Sequence, residues 1–260
     1  MSLRLLLLSN SRAADGAYLL WARAHISVFL GPQVRTVHFV PYARVPGSAV
    51  NYDEYAARVR SAFAQMGYAV VALHETSDPV AALRAADAIV VGGGNTFQLL
   101  NELYAAGLLE PIAERARGGA PYIGWSAGSV IACPSIATTN DMPIVAPPSL
   151  GALGLVPFHI NAHYTDAHPP GHQGETRAER IVEFLSLQPT QTVIGLREGA
   201  LLQVAGADVR LQGSGARVYR AGAAALDWQP AQGSLNDLLC AQEPQAAAHN
   251  CERKSNASPS

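Results

Sequence analysis

Gly124-Trp125-Ser126-Ala127-Gly128 sets a serine between two glycines, directly after the apolar run Pro121 to Ile123 and just before a second one, Val130-Ile131-Ala132. Strand, sharp turn and helix in that order make a nucleophile elbow, whose turn lifts the serine hydroxyl clear of the sheet. A serine there takes a strained, positive φ, and the flanking glycines let neighbouring backbone approach closely. The new helix directs free N–H groups at developing negative charge. Ser126 is therefore the candidate nucleophile, and an ordinary Gly/Ser turn is the competing reading.

A serine nucleophile needs a base within hydrogen-bond reach and an acid to orient that base. Four of the eight histidines, His159, His163, His168 and His172, lie downstream of Ser126. In a strand His159 and His163 share a face, so spacing does not choose between them. His163 is the candidate base because Asn161 and Asp166 mark a strand-to-loop junction beside it. Glu198 leaves the strand Thr192 to Leu196 and is the preferred acid, with Asp141 in Thr138-Thr139-Asn140-Asp141-Met142 as its rival.

Gly92-Gly93-Gly94-Asn95 lacks the spacing of a dinucleotide fingerprint. Its Gly93 and Gly94 N–H groups, with that of Ala127, can form an oxyanion hole; a tight turn needing positive φ is the alternative. Arg177 suits bidentate binding of a carboxylate, against the alternative of an ion pair with Glu175 or Glu179. Asn95 joins it as a candidate substrate contact.

The elements that must position these groups read as strand and helix in alternation up to residue 130. Strands are expected at Leu3 to Leu8, Arg35 to Val40, Tyr68 to Leu73, Ala88 to Val91 and Pro121 to Ile123. Helices are expected at Ala17 to Phe29, Asp53 to Met66, after Asp78-Pro79, Thr96 to Ala106 and Glu110 to Arg117. That alternation predicts an α/β fold with a parallel sheet and helices on both faces. The loops after Leu8, Val91 and Ile123 then meet at the carboxyl edge, where such sheets bind ligands. Residues 132 to 157 read as irregular. Beyond them come strands at Phe158 to Tyr164, Thr192 to Leu196 and Ala200 to Val204, a helix at Arg177 to Leu187, and weak antiparallel alternation from Val209 to Tyr219.

Composition fits a single domain over residues 1–235, with 236–260 as a disordered tail. A net charge of -2 gives no basic footprint for nucleic acid. The leucine run at the start is too short for a signal peptide, and no run approaches membrane-spanning length. Three scattered cysteines imply neither a disulfide framework nor a metal cluster and suit a cytoplasmic setting.

With these residues assembled, the chain resembles the peptidase E (α-aspartyl dipeptidase) family of serine peptidases. The resemblance runs from Leu5 to about Trp228. It is carried by Val91-Gly92-Gly93-Gly94-Asn95-Thr96-Phe97-Gln98, Tyr122-Ile123-Gly124-Trp125-Ser126-Ala127-Gly128, Thr138-Thr139-Asn140-Asp141-Met142-Pro143, Asn161-Ala162-His163 and Gly171-His172-Gln173-Gly174-Glu175-Thr176-Arg177. It implies a flavodoxin-like, class I glutamine-amidotransferase-like fold without metal or cofactor. It also implies Ser126 as nucleophile, His163 as base, Glu198 as acid with Asp141 nearby, and Arg177 on the substrate's aspartyl side chain. The implied substrates are small aspartyl peptides, Asp-X dipeptides and some tripeptides; the chain is expected as a monomer or homodimer. Ala162, Tyr164 and Arg197 depart from the family's commoner proline, phenylalanine and proline. The alternatives are a cyanophycinase-like β-aspartyl peptidase or amidase, and a non-catalytic small-molecule binder. The order Ser, His, Glu argues against an α/β-hydrolase.

Overall fold

The computed structural model describes residues 2–12, 16–45, 47, 50–168, 171 and 173–236. Residues 237–260 of the expected tail, with Cys240, Cys251 and His249, and likewise His172, lie outside the described residues. The first half runs β1 (Arg4–Leu8), α1 (Arg23–Leu30), β2 (Thr36–Val40), α2 (Tyr52–Ala64), β3 (Ala69–Ala72), α3 (Pro79–Arg84), β4 (Ala88–Val91), α4 (Thr96–Ala105), α5 (Leu109–Arg117), β5 (Tyr122–Trp125) and α6 (Ala127–Val130). Then follow β6 (His159–Tyr164), α7 (Arg177–Leu187), β7 (Thr192–Arg197), β8 (Ala200–Ala205), β9 (Asp208–Gly213), β10 (Ala216–Arg220) and β11 (Leu226–Trp228).

Local chemistry accounts for most of these boundaries. Asn51 and Thr176 close capping boxes with Glu54 and Glu179 at the starts of α2 and α7. Asp78 caps α3 with Pro79 in its first turn. Helix α1 begins six residues later than its apolar spacing predicts, because Leu19 adopts φ +58 and donates its N–H to the Ser11 carbonyl. A residue in the left-handed region cannot continue a right-handed helix.

The main sheet has the order β3-β2-β4-β5-β1-β8-β9; β1 to β5 pair in parallel, and β8 and β9 are added antiparallel. Strand β1 reads as an unbroken leucine run because both its faces are buried. Leu5 and Leu7 pack with α4, α5 and α6, whereas Leu6 and Leu8 pack with α1 and α2.

The second half departs from the expectation of one sheet. Strands β6, β7, β10 and β11 form a separate four-stranded sheet in the order β11-β10-β7-β6. Its inner residues Ile160, Ala162, Ile194, Leu196, Ala216 and Val218 extend the core on the α4–α6 side. Its outer face is covered by Ile181 and Leu185 of α7. Short apolar strands do not encode which sheet they join. The chain passes from the small sheet to the large one through the two-residue link Glu198-Gly199 between β7 and β8. Among the described residues, no helix is long and apolar enough to cross a membrane.

Candidate active site

Ser126 sits at φ +53, ψ -118 between β5 and α6, the strained elbow conformation that its sequence context implies. Its N–H donates to the Leu8 carbonyl at 3.0 Å, tying the turn to the end of β1. Both flanking glycines are sterically required. A Cβ at Gly124 would lie 2.2 Å from the Gly128 carbonyl oxygen, and one at Gly128 would lie 2.1 Å from that of Val91. Those are backbone atoms that cannot swing aside. Gly128→Ala should therefore cost about 3 kcal/mol or more in a urea unfolding titration; a loss under about 1 kcal/mol would mean that the turn is slack.

His163 Nε2 lies 2.9 Å from Ser126 Oγ, and His163 Nδ1 lies 2.6 Å from Glu198 Oε1. The serine hydroxyl can donate to Nε2 while Nδ1–H donates to the carboxylate. The choice between His159 and His163 is made by a β-bulge. The pairing register of β6 and β7 shifts between Asn161 and Tyr164, and His163 takes φ +54. His159, without that bulge, is 3% exposed, and burial holds its imidazole below the ordinary histidine pKa. Ser9 secures the bulge: its hydroxyl accepts the His163 N–H at 2.9 Å and donates to the Leu196 carbonyl at 2.7 Å. Asn10 secures the acid by accepting the Gly199 N–H at 2.9 Å.

Arg197, where proline is commoner, pairs with Asp166 at 2.7 Å and Asp227 at 2.5 Å, so the residue before Glu198 is anchored by charge instead of by a ring. Asp141 is committed elsewhere. Its Oδ2 accepts the Thr96 N–H at 2.7 Å, the Thr96 hydroxyl at 2.5 Å and the Thr139 hydroxyl at 3.2 Å, which binds it to the start of α4.

Each glycine of the β4–α4 turn has its own steric cause. A Cβ at Gly92 would meet the Tyr55 hydroxyl at 2.5 Å, one at Gly93 would meet Ser126 Cβ at 2.9 Å, and one at Gly94, φ +150, would meet the Ala43 carbonyl oxygen at 2.2 Å. Among the described residues, the N–H groups of Gly93, Gly94 and Ala127 have no protein acceptor. The turn is held by Tyr55, which no local sequence pattern singles out. Its hydroxyl donates to the Gly93 carbonyl at 2.9 Å and accepts from Trp125 Nε1 at 3.0 Å and the Tyr18 hydroxyl at 3.2 Å. Burial raises its pKa and keeps it a neutral donor. Tyr55→Phe should cost about 1–3 kcal/mol by stranding buried polar groups. It should also lower kcat more than it raises KM, and an unchanged kcat would exclude Tyr55 from holding the turn.

A family model described as Peptidase family S51 matches residues 5–212. The chain belongs to peptidase family S51. A relative named Peptidase E from Nostoc sp. is 47% identical over 214 residues, 82% of this chain and 87% of the relative. Another from Shewanella amazonensis is 45% identical over 242 residues, 92% of this chain and 100% of the relative. A crystal structure of a protein described as a peptidase E from Listeria monocytogenes EGD-e is 25% identical, with a TM-score of 0.62 over 82% of this chain and 99% of that one. The structure of a peptidase from an acI-B1 Actinobacterium, 17% identical with a TM-score of 0.64, covers 88% of this chain and 98% of its own and shares the fold.

In this S51 chain a cavity of about 300 Å³ is lined by Ser11, Arg44, Tyr55, Gly93, Gly94, Trp125, Ser126, Asp141 and His163. Arg177 lines a separate cavity with Thr165, His168 and Arg180, and its Nη1 donates to Asn140 Oδ1 at 2.6 Å. It does not make the helix-surface pair that spacing allows, since Glu175 pairs with Arg180 and Glu179 caps α7. Asn140 in turn donates to the Ala162 carbonyl at 2.8 Å, which links Arg177 to the residue before His163. The Asn95 amide is engaged at both ends, accepting the Gln98 N–H and donating to the Met142 carbonyl, so it shapes the turn. Asp53, His74 and Glu75 lie close enough together to hold a cation, but none of them lines the Ser126 cavity. Cys133 is buried, and burial pushes its thiol up to about 12, leaving it unreactive at neutral pH.

Proposed function

We propose that this chain is a serine dipeptidase that cleaves the bond after an N-terminal aspartate through an acyl-enzyme. The observation that carries the proposal is the unbroken relay Glu198–His163–Ser126, at 2.6 and 2.9 Å, opening on a cavity beside free backbone N–H groups. His163 takes the Ser126 proton as the hydroxyl oxygen attacks the aspartyl carbonyl carbon. Glu198 fixes the imidazole tautomer and stabilises the imidazolium. N–H groups of Gly93, Gly94 and Ala127 receive the oxyanion; one such donor is worth about 10²–10³ in turnover. His163 then gives its proton to the leaving amine, and water attacks the acyl carbon with His163 again as base. Asp141 serves as an anchor for α4 and not as the relay's acid.

Arg177 supports the aspartyl preference. A neutral side chain would leave its partly buried guanidinium with only the charge of Asp141 to offset it, and burial already holds its pKa below the ordinary arginine value. The proposed setting is the cytoplasm, where a free thiol such as Cys133 stays reduced. The test is hydrolysis of Asp-Leu beside Asn-Leu, Glu-Leu, Ala-Leu and a β-linked aspartyl dipeptide. Asp-Leu should exceed Asn-Leu in kcat/KM by about 10²-fold or more. Equal cleavage of Ala-Leu would remove the aspartyl specificity, and cleavage of the β-linked peptide alone would make the enzyme a β-aspartyl peptidase.

A further inference from the structure

Arg44 follows β2 and stands in the wall of the Ser126 cavity. Its guanidinium carbon lies over the Tyr55 ring, 4.4 Å from the centroid, within cation–π range. Its Nε is buried with no hydrogen-bond acceptor. Among the described residues it forms no ion pair, and neither do Arg12 and Arg58, which both lie 5.9 Å from the Tyr18 ring beside it. Three arginines with no ion pair among the described residues therefore gather around the Tyr18–Tyr55 pair. The one carboxylate in the cavity wall, that of Asp141, makes no ion pair with Arg44, and its Oδ2 accepts from Thr96 and Thr139.

A buried guanidinium N–H without an acceptor is unfavourable unless an anion completes it. We propose that Arg44 is a specificity-determining residue that binds a carboxylate of the substrate next to Ser126. This rests on the dipeptidase reading. An aspartyl dipeptide carries two carboxylates, on the aspartyl side chain and at the C-terminus. Arg177 lines a separate cavity that shares no residue with the serine's, so the guanidinium in the wall of the Ser126 cavity is that of Arg44. Arg44 follows β2 and the acid Glu198 precedes β8, on opposite sides of Ser126 after β5 in the strand order. A site that recognises both anions at once favours short acidic substrates over longer chains, whose C-terminal carboxylate lies out of reach.

The experiment measures kcat/KM of the wild type, Arg44→Ala and Arg44→Lys on Asp-Leu, Asp-Leu amide and Asn-Leu, with thermal melts of all three proteins. Arg44→Ala should lower kcat/KM on Asp-Leu by about 10–100-fold, mainly through KM, and Arg44→Lys should recover part of the loss. If Arg44→Ala leaves Asp-Leu amide nearly unaffected, the bound group is the C-terminal carboxylate. If it instead leaves Asn-Leu nearly unaffected, the bound group is the aspartyl side chain. Either outcome supports the proposal. An equal loss on all three substrates, or a change below about 3-fold on Asp-Leu, overturns it and leaves Arg44 as a support for Tyr55. Failure of the wild type to cleave Asp-Leu overturns the dipeptidase reading, and this inference with it; cleavage with the substrate ratios unmoved by Arg44→Ala overturns this inference alone.

Discussion

Ser126→Ala should lower kcat on Asp-Leu by about 10⁶-fold and leave the melting temperature within about 2 °C of the wild type. The two effects separate because the hydroxyl and the backbone have different duties. Ser126 Oγ meets His163, whereas the elbow is held by the Ser126 N–H on Leu8 and by the close passage of Gly124 and Gly128. Alanine keeps the Cβ and the turn and removes only the attacking oxygen. The check is steady-state hydrolysis, with mass spectrometry of the quenched wild type to find the acyl adduct on Ser126. Retention of more than about one per cent of the activity by Ser126→Ala would move the nucleophile to another residue.

Glu198→Gln should lower kcat by about 10³–10⁴-fold, because an amide no longer selects the tautomer with a proton on Nδ1 or stabilises the imidazolium. Its cost in stability should stay under about 1 kcal/mol. The side chains of His163 and Glu198 are 43% and 62% exposed, and an ion pair so open to water contributes little to folding. Asp141→Asn should behave in the opposite way. It weakens three hydrogen bonds that fasten Thr96 and Thr139, so stability falls by about 1–3 kcal/mol while kcat falls far less. Urea unfolding and kcat measured on the two variants side by side separate the roles. A larger kcat loss in Asp141→Asn would exchange them.

How much of this was legible in the sequence depends on the range of the interactions involved. Strand β4, the capped starts of α3 and α7 and the serine elbow follow from neighbours a few residues apart, and the structure places them where the sequence does. The choice of His163 over His159 depends on a bulge, which arises from pairing with a strand some thirty residues away, and periodicity has no means of registering it. The second sheet was illegible for the same reason. Tyr55 and Arg44 looked like ordinary members of an amphipathic helix and a loop. Their importance comes from long-range contacts with Gly93, Trp125 and the cavity wall. The polar triplet Ser9-Asn10-Ser11 was the one available signal, since buried polar side chains need partners and two of these hold the base and the acid.

The two-residue passage from β7 to β8 also sets the mechanics of the site. A chain extends at most about 3.6 Å per residue, so Glu198-Gly199 is a tether with almost no slack between the body that bears the nucleophile and the body that bears the base. Neither body is a machine by itself: one has a hydroxyl with nothing to take its proton, the other an imidazole with nothing to activate. The spacing between them is written into covalent bonds at the point where the acid sits, so the alignment of the proton relay is inherited from chain length and is least free to drift where drift would be most costly.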